Sequence, residues 1–310
     1  MYTLVAKIGV VLSLLVVGAS AHAQEEEQAQ KEEQEQKEPQ YILHPSWSPN
    51  GKTIAFYQRK SNYAALRKVR VKRGKTDLIT NGTNYDANPS YSPSGKEIVF
   101  SRGAPNMQGQ WDIMAMKLKS GDVRNLTNSP EREMHAQWSP DGKSVSFVRF
   151  MDNQSDIFVL DLASGSETNI TNTPDAREFH PKWRADSGAL VFDRTAPSGS
   201  TITAIDLSSG QERVIFTASE GERVSAPSYA PDGASVVLSK SRGAANGIWR
   251  VDLADNRESL LLKTEDTQSA GGAVYSPDGS RIALHVATDG DYSLYVMKAD
   301  GTDLKPVVER

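Results

Sequence analysis

The chain has 310 residues, is 38% hydrophobic, contains no cysteine and carries a formal net charge of −4. That length suits one large all-β domain or two ordinary ones, and the lack of cysteine excludes both a disulfide scaffold and an acylated lipobox. Beyond residue 40 the Lys and Arg equal the Asp and Glu in number, so no field of one sign gathers nucleic acid or an anionic membrane, and neither is an expected partner.

Residues 1–23 hold Lys7, the apolar run from Ile8 to Val17 and the small-residue site Ala21-His22-Ala23. This reads as a secretory signal peptide cleaved before Gln24. The run is shorter than the roughly 20 residues a membrane span needs, so the mature form is expected to lack one. Residues 24–40 contain seven Glu, two Lys and no large apolar side chain. Such a segment cannot bury enough surface to offset its ordering entropy and reads as a solvated tail.

From residue 41 the chain repeats itself. HPSWSPNGKTIAF, NPSYSPSGKEIVF, HAQWSPDGKSVSF, HPKWRADSGALVF, APSYAPDGASVVL and GAVYSPDGSRIAL place an aromatic at Trp47, Tyr91, Trp138, Trp183, Tyr229 and Tyr275, with periods of 44, 47, 45, 46 and 46 residues. A second landmark recurs in phase at Gly74, Gly121, Gly165, Gly210, Asn256 and Gly301. Asn is the non-glycine residue most tolerant of a left-handed turn, so this exception keeps the backbone requirement. Each unit reads as four short strands: one ending in the aromatic, one after the Pro-Asp-Gly type turn, one alternating run, and one after the second turn. Four strands per period of about 40–50 residues implies an all-β, six-bladed β-propeller of four-stranded blades spanning 41–310. With all six units in phase, ring closure is expected from face packing of the first and last blades. The fourth unit, with Ala185-Asp186-Ser187-Gly188 where others have Pro-Asp-Gly, should differ at its turn.

The Trp/Tyr-Ser-Pro-Asp-Gly-Lys-x-Ile-Ala-Phe pattern, with Asp-Ile-x-Val-x-Asp strands and Leu-Thr endings, resembles the WD40-like repeats of TolB-like propellers. The resemblance covers residues 44 to about 308. It implies a periplasmic or secreted module that binds an envelope protein, such as a peptidoglycan-associated lipoprotein-like partner, rather than a self-contained enzyme. The separate α/β domain that precedes the TolB propeller has no counterpart in the 17 residues ahead of the first blade. Similar propellers gate prolyl-oligopeptidase-type peptidases, but their G-x-S-x-G elbow is missing here.

Candidate site residues sit ahead of each aromatic, expected at one mouth of the central channel. Three positions before it stand His44, Asn88, His135, His180, Ala226 and Gly272; five before it stand Ile42, Asp86, Glu133, Glu178, Val224 and Ala270. Alternate residues share one side of a strand, so Glu133 with His135 and Glu178 with His180 suggest a divalent metal site (Ca, Mn or Zn) on His44, His135 and His180. Asp86, Asn88, Arg132, Glu133, Arg177, Glu178 and Arg223 would form a ligand-binding rim. The alternative is an inherited polar turn with Arg–Glu neutralisation. Propeller-fold oligogalacturonate lyases, related repeat proteins, give the metal reading a second form: a metal-dependent polysaccharide-binding or lyase-like propeller using the His/Glu cluster at the channel mouth. His285 reads as a structural histidine, and the basic run Arg67 to Lys75 as edge protection in blade one.

Overall fold

The computed structural model describes residues 41–308 apart from 61, 108, 153, 243–245 and 266, with only the backbone of residue 106. The expected signal peptide and tail lie outside the described residues. Six four-stranded antiparallel units follow one another along the chain, and single parallel pairings such as Tyr41 with Tyr292, Ala64 with Tyr85 and Ser155 with Arg177 join neighbours into larger sheets. Their first strands are Tyr41–Trp47, Tyr85–Tyr91, Arg132–Trp138, Arg177–Trp183, Arg223–Tyr229 and Gln268–Tyr275. The second strands are Thr53–Lys60, Glu97–Gly103, Ser144–Met151, Ala189–Ala196, Ser235–Ser241 and Arg281–Thr288. In the third blade, Gln154–Asp161 and Glu167–Asn169 complete the set, each strand pairing antiparallel with the one before it.

Side-chain alternation explains why these sheets stack in a ring. On five of the second strands two apolar residues point to the preceding blade and an apolar residue between them to the next; in blade three Ser146 holds that middle place and Val148 makes the forward contact. Val145 and Phe147 pack with Val99 and Ile113 of blade two, while Val148 packs with Leu190 and Phe192 of blade four. Blade four follows the common pattern, sending Val191 toward Leu238 and Val251 of blade five. The outcome is six inter-blade cores, all fully or nearly dry. Burying both faces of every blade accounts for the near-continuous apolar runs on the second strands.

The first and sixth blades meet face to face, as the in-phase repeats require. Ile54 and Phe56 share a core with Val274, Ala283 and Leu294. The Trp47 indole donates to the Val274 carbonyl at 3.2 Å, and Arg281 lies 4.7 Å from the Trp47 ring centre while donating to the Gly51 carbonyl. The turn landmarks are left-handed throughout, with φ of 64° at Gly74, 80° at Gly121 and 58° at Asn256. In the fourth blade Ser187 takes the left-handed place that glycine holds in the others, at φ 62°.

Candidate metal centre

The three histidines lie within the first strands, not in the loops that precede them. Each first strand carries a bulge at the same point, seen as a break in pairing between Leu43 and Ser46, between Phe179 and Lys182, and at corresponding places in the other blades. The bulge residue is left-handed in all six: φ is 51° at His44, 54° at Asn88, 60° at His135, 51° at His180, 50° at Ala226 and 61° at Gly272. A left-handed residue at a bulge breaks the two-residue alternation and re-aims its side chain. Here the six bulges converge on one cavity of about 20 Å³, lined also by Gln137 and Lys182, with room for an ion or a water.

His44, His135 and His180 each offer a ring nitrogen, and these atoms lie within 4.8 Å of one another. The ring centres of His135 and His180 are 4.4 Å apart, and His44 is 5.5 Å from each. Burial first, and then the neighbouring imidazoles and Lys182, hold His44 and His135 well below the ordinary value of 6.5. Both rings are therefore uncharged at neutral pH, the form that binds a metal.

Asp193, on the second strand of blade four, receives the Nδ1 of His180 at 2.8 Å and also accepts the Ala226 backbone N–H at 3.1 Å. A carboxylate on Nδ1 fixes the proton there and leaves the Nε2 lone pair for a ligand. His285 fills the space left by Gly271 and Gly272, where an added Cβ would come within 2.8 and 3.1 Å of its ring. Its ring centre is 6.3 Å from that of His44. Burial, helped by His180, lowers His285 to about 4, and its buried Nδ1 has no partner among the described residues. Lys182 donates to Gln137 Oε1 at 2.8 Å, and burial lowers it to about 8.

The carboxylates expected beside the histidines are elsewhere. Because the bulge breaks the alternation, Glu133 and Glu178 do not share a side with His135 and His180. Each acid faces its cross-strand neighbour instead: Asp86 pairs with Arg102 at 2.7 Å, Glu133 with Arg149, and Glu178 with Arg194 at 2.7 Å. Arg149 and Arg194 are held on their outer side by Glu167 and Glu212. All three acids are 0% exposed, so no ligand reaches them. Burial raises Glu133 and Glu178 above the ordinary carboxylate value, against the pull of their arginines. Asn88 is buried but lines the cavity. Arg132 is partly buried, stacked 5.0 Å from the Trp111 ring centre, while Arg177 and Arg223 are exposed at the strand starts.

Asp193, Gln137 and Lys182 join the expected histidines at the cavity, and His285, expected to be structural, lies beside them. One signal for Gln137 and Lys182 was available in the sequence. The residue before the aromatic is Ser46, Ser90, Gln137, Lys182, Ser228 and Val274, and the departure to long polar side chains falls on the two adjacent blades that bear His135 and His180.

Six blades around a histidine-lined axial cavity define the class: an all-β propeller with its candidate site on the ring axis. The chain belongs to the TolB beta propeller domain family, whose model matches residues 27–273. Among solved structures it is similar to a protein described as TolB from Agrobacterium tumefaciens, at 19% identity and TM-score 0.66 over 76% of this chain and 85% of that one. TolB from Acinetobacter baumannii is similar at 18% identity and TM-score 0.65, over 84% of this chain but only 61% of the other. An oligogalacturonate lyase in complex with manganese matches at 15% identity and TM-score 0.55, over 82% of this chain and 73% of that one. At these identities the structural likeness shows the fold alone. No curated protein matches the sequence. No helix among the described residues is long and apolar enough to cross a membrane.

Proposed function

We propose that this TolB-family propeller is an exported divalent-metal-binding protein whose ion is held by His44, His135 and His180. The observation that carries the proposal is the convergence of three imidazoles from three blades, within 4.8 Å, on bulges whose left-handed backbone exists in every blade. Two of the rings are kept neutral by burial, and the third is oriented by Asp193. A tetrahedral centre with metal–nitrogen bonds of about 2.0–2.1 Å needs nitrogens about 3.3 Å apart, within reach of small ring rotations.

Three nitrogen donors and no facing carboxylate favour Zn over Ca, which prefers six to eight oxygens, and over Mn, which is also suited to oxygen donors. Three protein ligands would leave a coordination position open to water or an anionic group, the pattern of reactive rather than structural sites. Lys182, on the same wall, supplies charge for an anionic ligand. Purified protein reconstituted with Zn or Mn and freed of loose ion should retain close to one ion per chain by elemental analysis. The double variant His135→Ala, His180→Ala should retain none while melting as a folded protein. Failure of the wild type to retain either ion removes the reading.

A second reading follows from family membership: docking of an envelope protein, a peptidoglycan-associated lipoprotein-like partner, at the mouth marked by exposed Arg177 and Arg223. Cross-linking in the periplasm with an Arg177→Glu, Arg223→Glu comparison tests it. An unchanged set of cross-linked partners counts against it.

A further inference from the structure

A second concavity lies on the opposite face, among the turns that join first and second strands in blades one to three. It is a groove of about 1190 Å³ whose lining includes Lys68, Arg70, Lys117, Lys119, Tyr91 and Trp138. That exceeds the roughly 300–1,000 Å³ typical of a single small ligand, so an oligomer fits it better. Lys68, Arg70 and Lys119 join no ion pair among the described residues. In a folded region whose charges otherwise balance, this local excess of cation needs a cause.

The repeat shows that the excess replaces something useful. The last residue of the third strand is Asp161, Asp206 and Asp252 in blades three to five. Each caps its own turn, accepting the N–H of Ser164 at 2.7 Å, Ser209 at 3.0 Å and Ala254 at 2.9 Å. Such Asp caps stabilise turns. Blades one, two and six have Arg70, Lys117 and Lys298 at this position, forgoing the cap and reversing the charge; of these, Arg70 and Lys117 line the groove. The turns keep their shape, with Gly74 and Gly121 donating to the Arg70 and Lys117 carbonyls at 3.1 and 2.8 Å.

Trp138 departs from its repeat as well. Trp47 and Trp183 donate their indole N–H to the first strand of the preceding blade, at 3.2 and 3.1 Å. The Trp138 Nε1 has no partner among the described residues, and its ring forms part of the groove. Lys68, Arg70, Lys96, Lys117 and Lys119 outnumber the lining carboxylates Glu97 and Asp141, and with Tyr91, Trp138 and serine hydroxyls among them they complement a chain of acidic sugars. Carboxylates meet the cations, and ring faces stack on Tyr91 and Trp138.

We infer that this groove binds a carboxylated oligosaccharide, independently of the axial histidines. Hexamannuronate should bind the full-length protein by calorimetry, with affinity falling as salt rises, while neutral maltohexaose should not bind. The variant Arg70→Asp, Lys117→Asp copies blades three to five and so should fold, with unchanged or raised melting temperature and at least tenfold weaker binding. Trp138→Ala should weaken binding several-fold. Chelator, or His135→Ala with His180→Ala, should leave binding intact; loss there would assign the sugar to the axial cavity and overturn the inference. It is equally overturned by absent wild-type binding, by full affinity in the charge-reversed variant, or by tighter binding of polyglutamate or dextran sulfate than of hexamannuronate.

Discussion

Blades three and four and blades five and six share one backbone and carry different chemistry on it. All four hold a left-handed bulge at the axis, but the bulge residue is His135 and His180 in the first pair and Ala226 and Gly272 in the second. Two residues earlier the first pair has Glu133 and Glu178, each buried against an arginine, where the second has Val224 and Ala270. The bulge therefore belongs to the fold, since it survives without any polar side chain. The histidines and carboxylates are additions to that frame, and they serve separate purposes: the first meet at the axis, and the second tie adjacent strands together.

The largest expected effect breaks this comparison at its buried charges. Arg149→Ala leaves Glu133 fully buried beside a lost partner, which should cost about 3–5 kcal/mol. Blade five offers the control. Lys240 stands at the same register position opposite apolar Val224 and reaches the partly exposed Glu258 while lying over Phe216 and Trp249, so Lys240→Ala should cost only about 1 kcal/mol. Urea denaturation at pH 7.5 measures both. Because burial already raises Glu133, the Arg149→Ala penalty should shrink at pH 5 as the carboxyl takes up a proton. Equal losses in the two blades would mean that the acid–arginine pairs hold no special place in stability.

A drop in pH should separate the histidine-bearing side next. His44, His135 and His285 are lowered in the folded state, so unfolding takes up protons once pH falls below 6.5, and stability declines from there. For His285, lowered to about 4, the loss at pH 5 is about 2 kcal/mol. Glu133 and Glu178 act with the opposite sign, since a raised folded value favours the folded state as pH falls through it. His285→Gln should therefore flatten the decline between pH 7 and 5 without touching the carboxylate contribution. A pH profile of melting temperatures that is the same in wild type and variant would refute the buried, neutral state of this ring.

The ring of blades was legible because its cause is periodic: one aromatic, one tight turn and one apolar alternation per unit. The grouping of His44, His135 and His180 was legible for the same reason, since equivalent positions of a ring face a common axis. Placing Glu133 and Glu178 beside them was not correct. The two-residue alternation that put them together fails at a left-handed bulge, a backbone that Gly272 and Asn88, the residue types most tolerant of it, hint at among the six bulge residues. Better evidence lay across the strands, where Asp86, Glu133 and Glu178 stand opposite Arg102, Arg149 and Arg194, while Ile42 and Ala270 stand opposite Gln58 and Val286. Asp193 escaped notice because its partner lies on another strand, although five of the six residues at its repeat position, Tyr57, Ser101, Asp193, Ser239 and His285, are polar and only Val148 is not.

The smallest effects sharpen the comparison within the bare pair, blades five and six. Gly272→Ala must place a methyl group at φ 61° and 3.1 Å from the His285 Nδ1, and should destabilise by about 1–2 kcal/mol. Ala226 already bears that backbone at φ 50°. Its replacement by glycine relieves left-handed strain of about 1 kcal/mol and loses a similar amount through the freer unfolded chain. Ala226→Gly should therefore change stability by less than about 0.5 kcal/mol, with Asp193 still accepting the backbone N–H of residue 226 and still holding His180. Paired thermal melts measure the two variants, and metal retention by Ala226→Gly should match wild type. If instead Ala226→Gly destabilises as much as Gly272→Ala, the bulge in blade five depends on its methyl packing, and the frame is less independent of its side chains than the six shared φ values indicate.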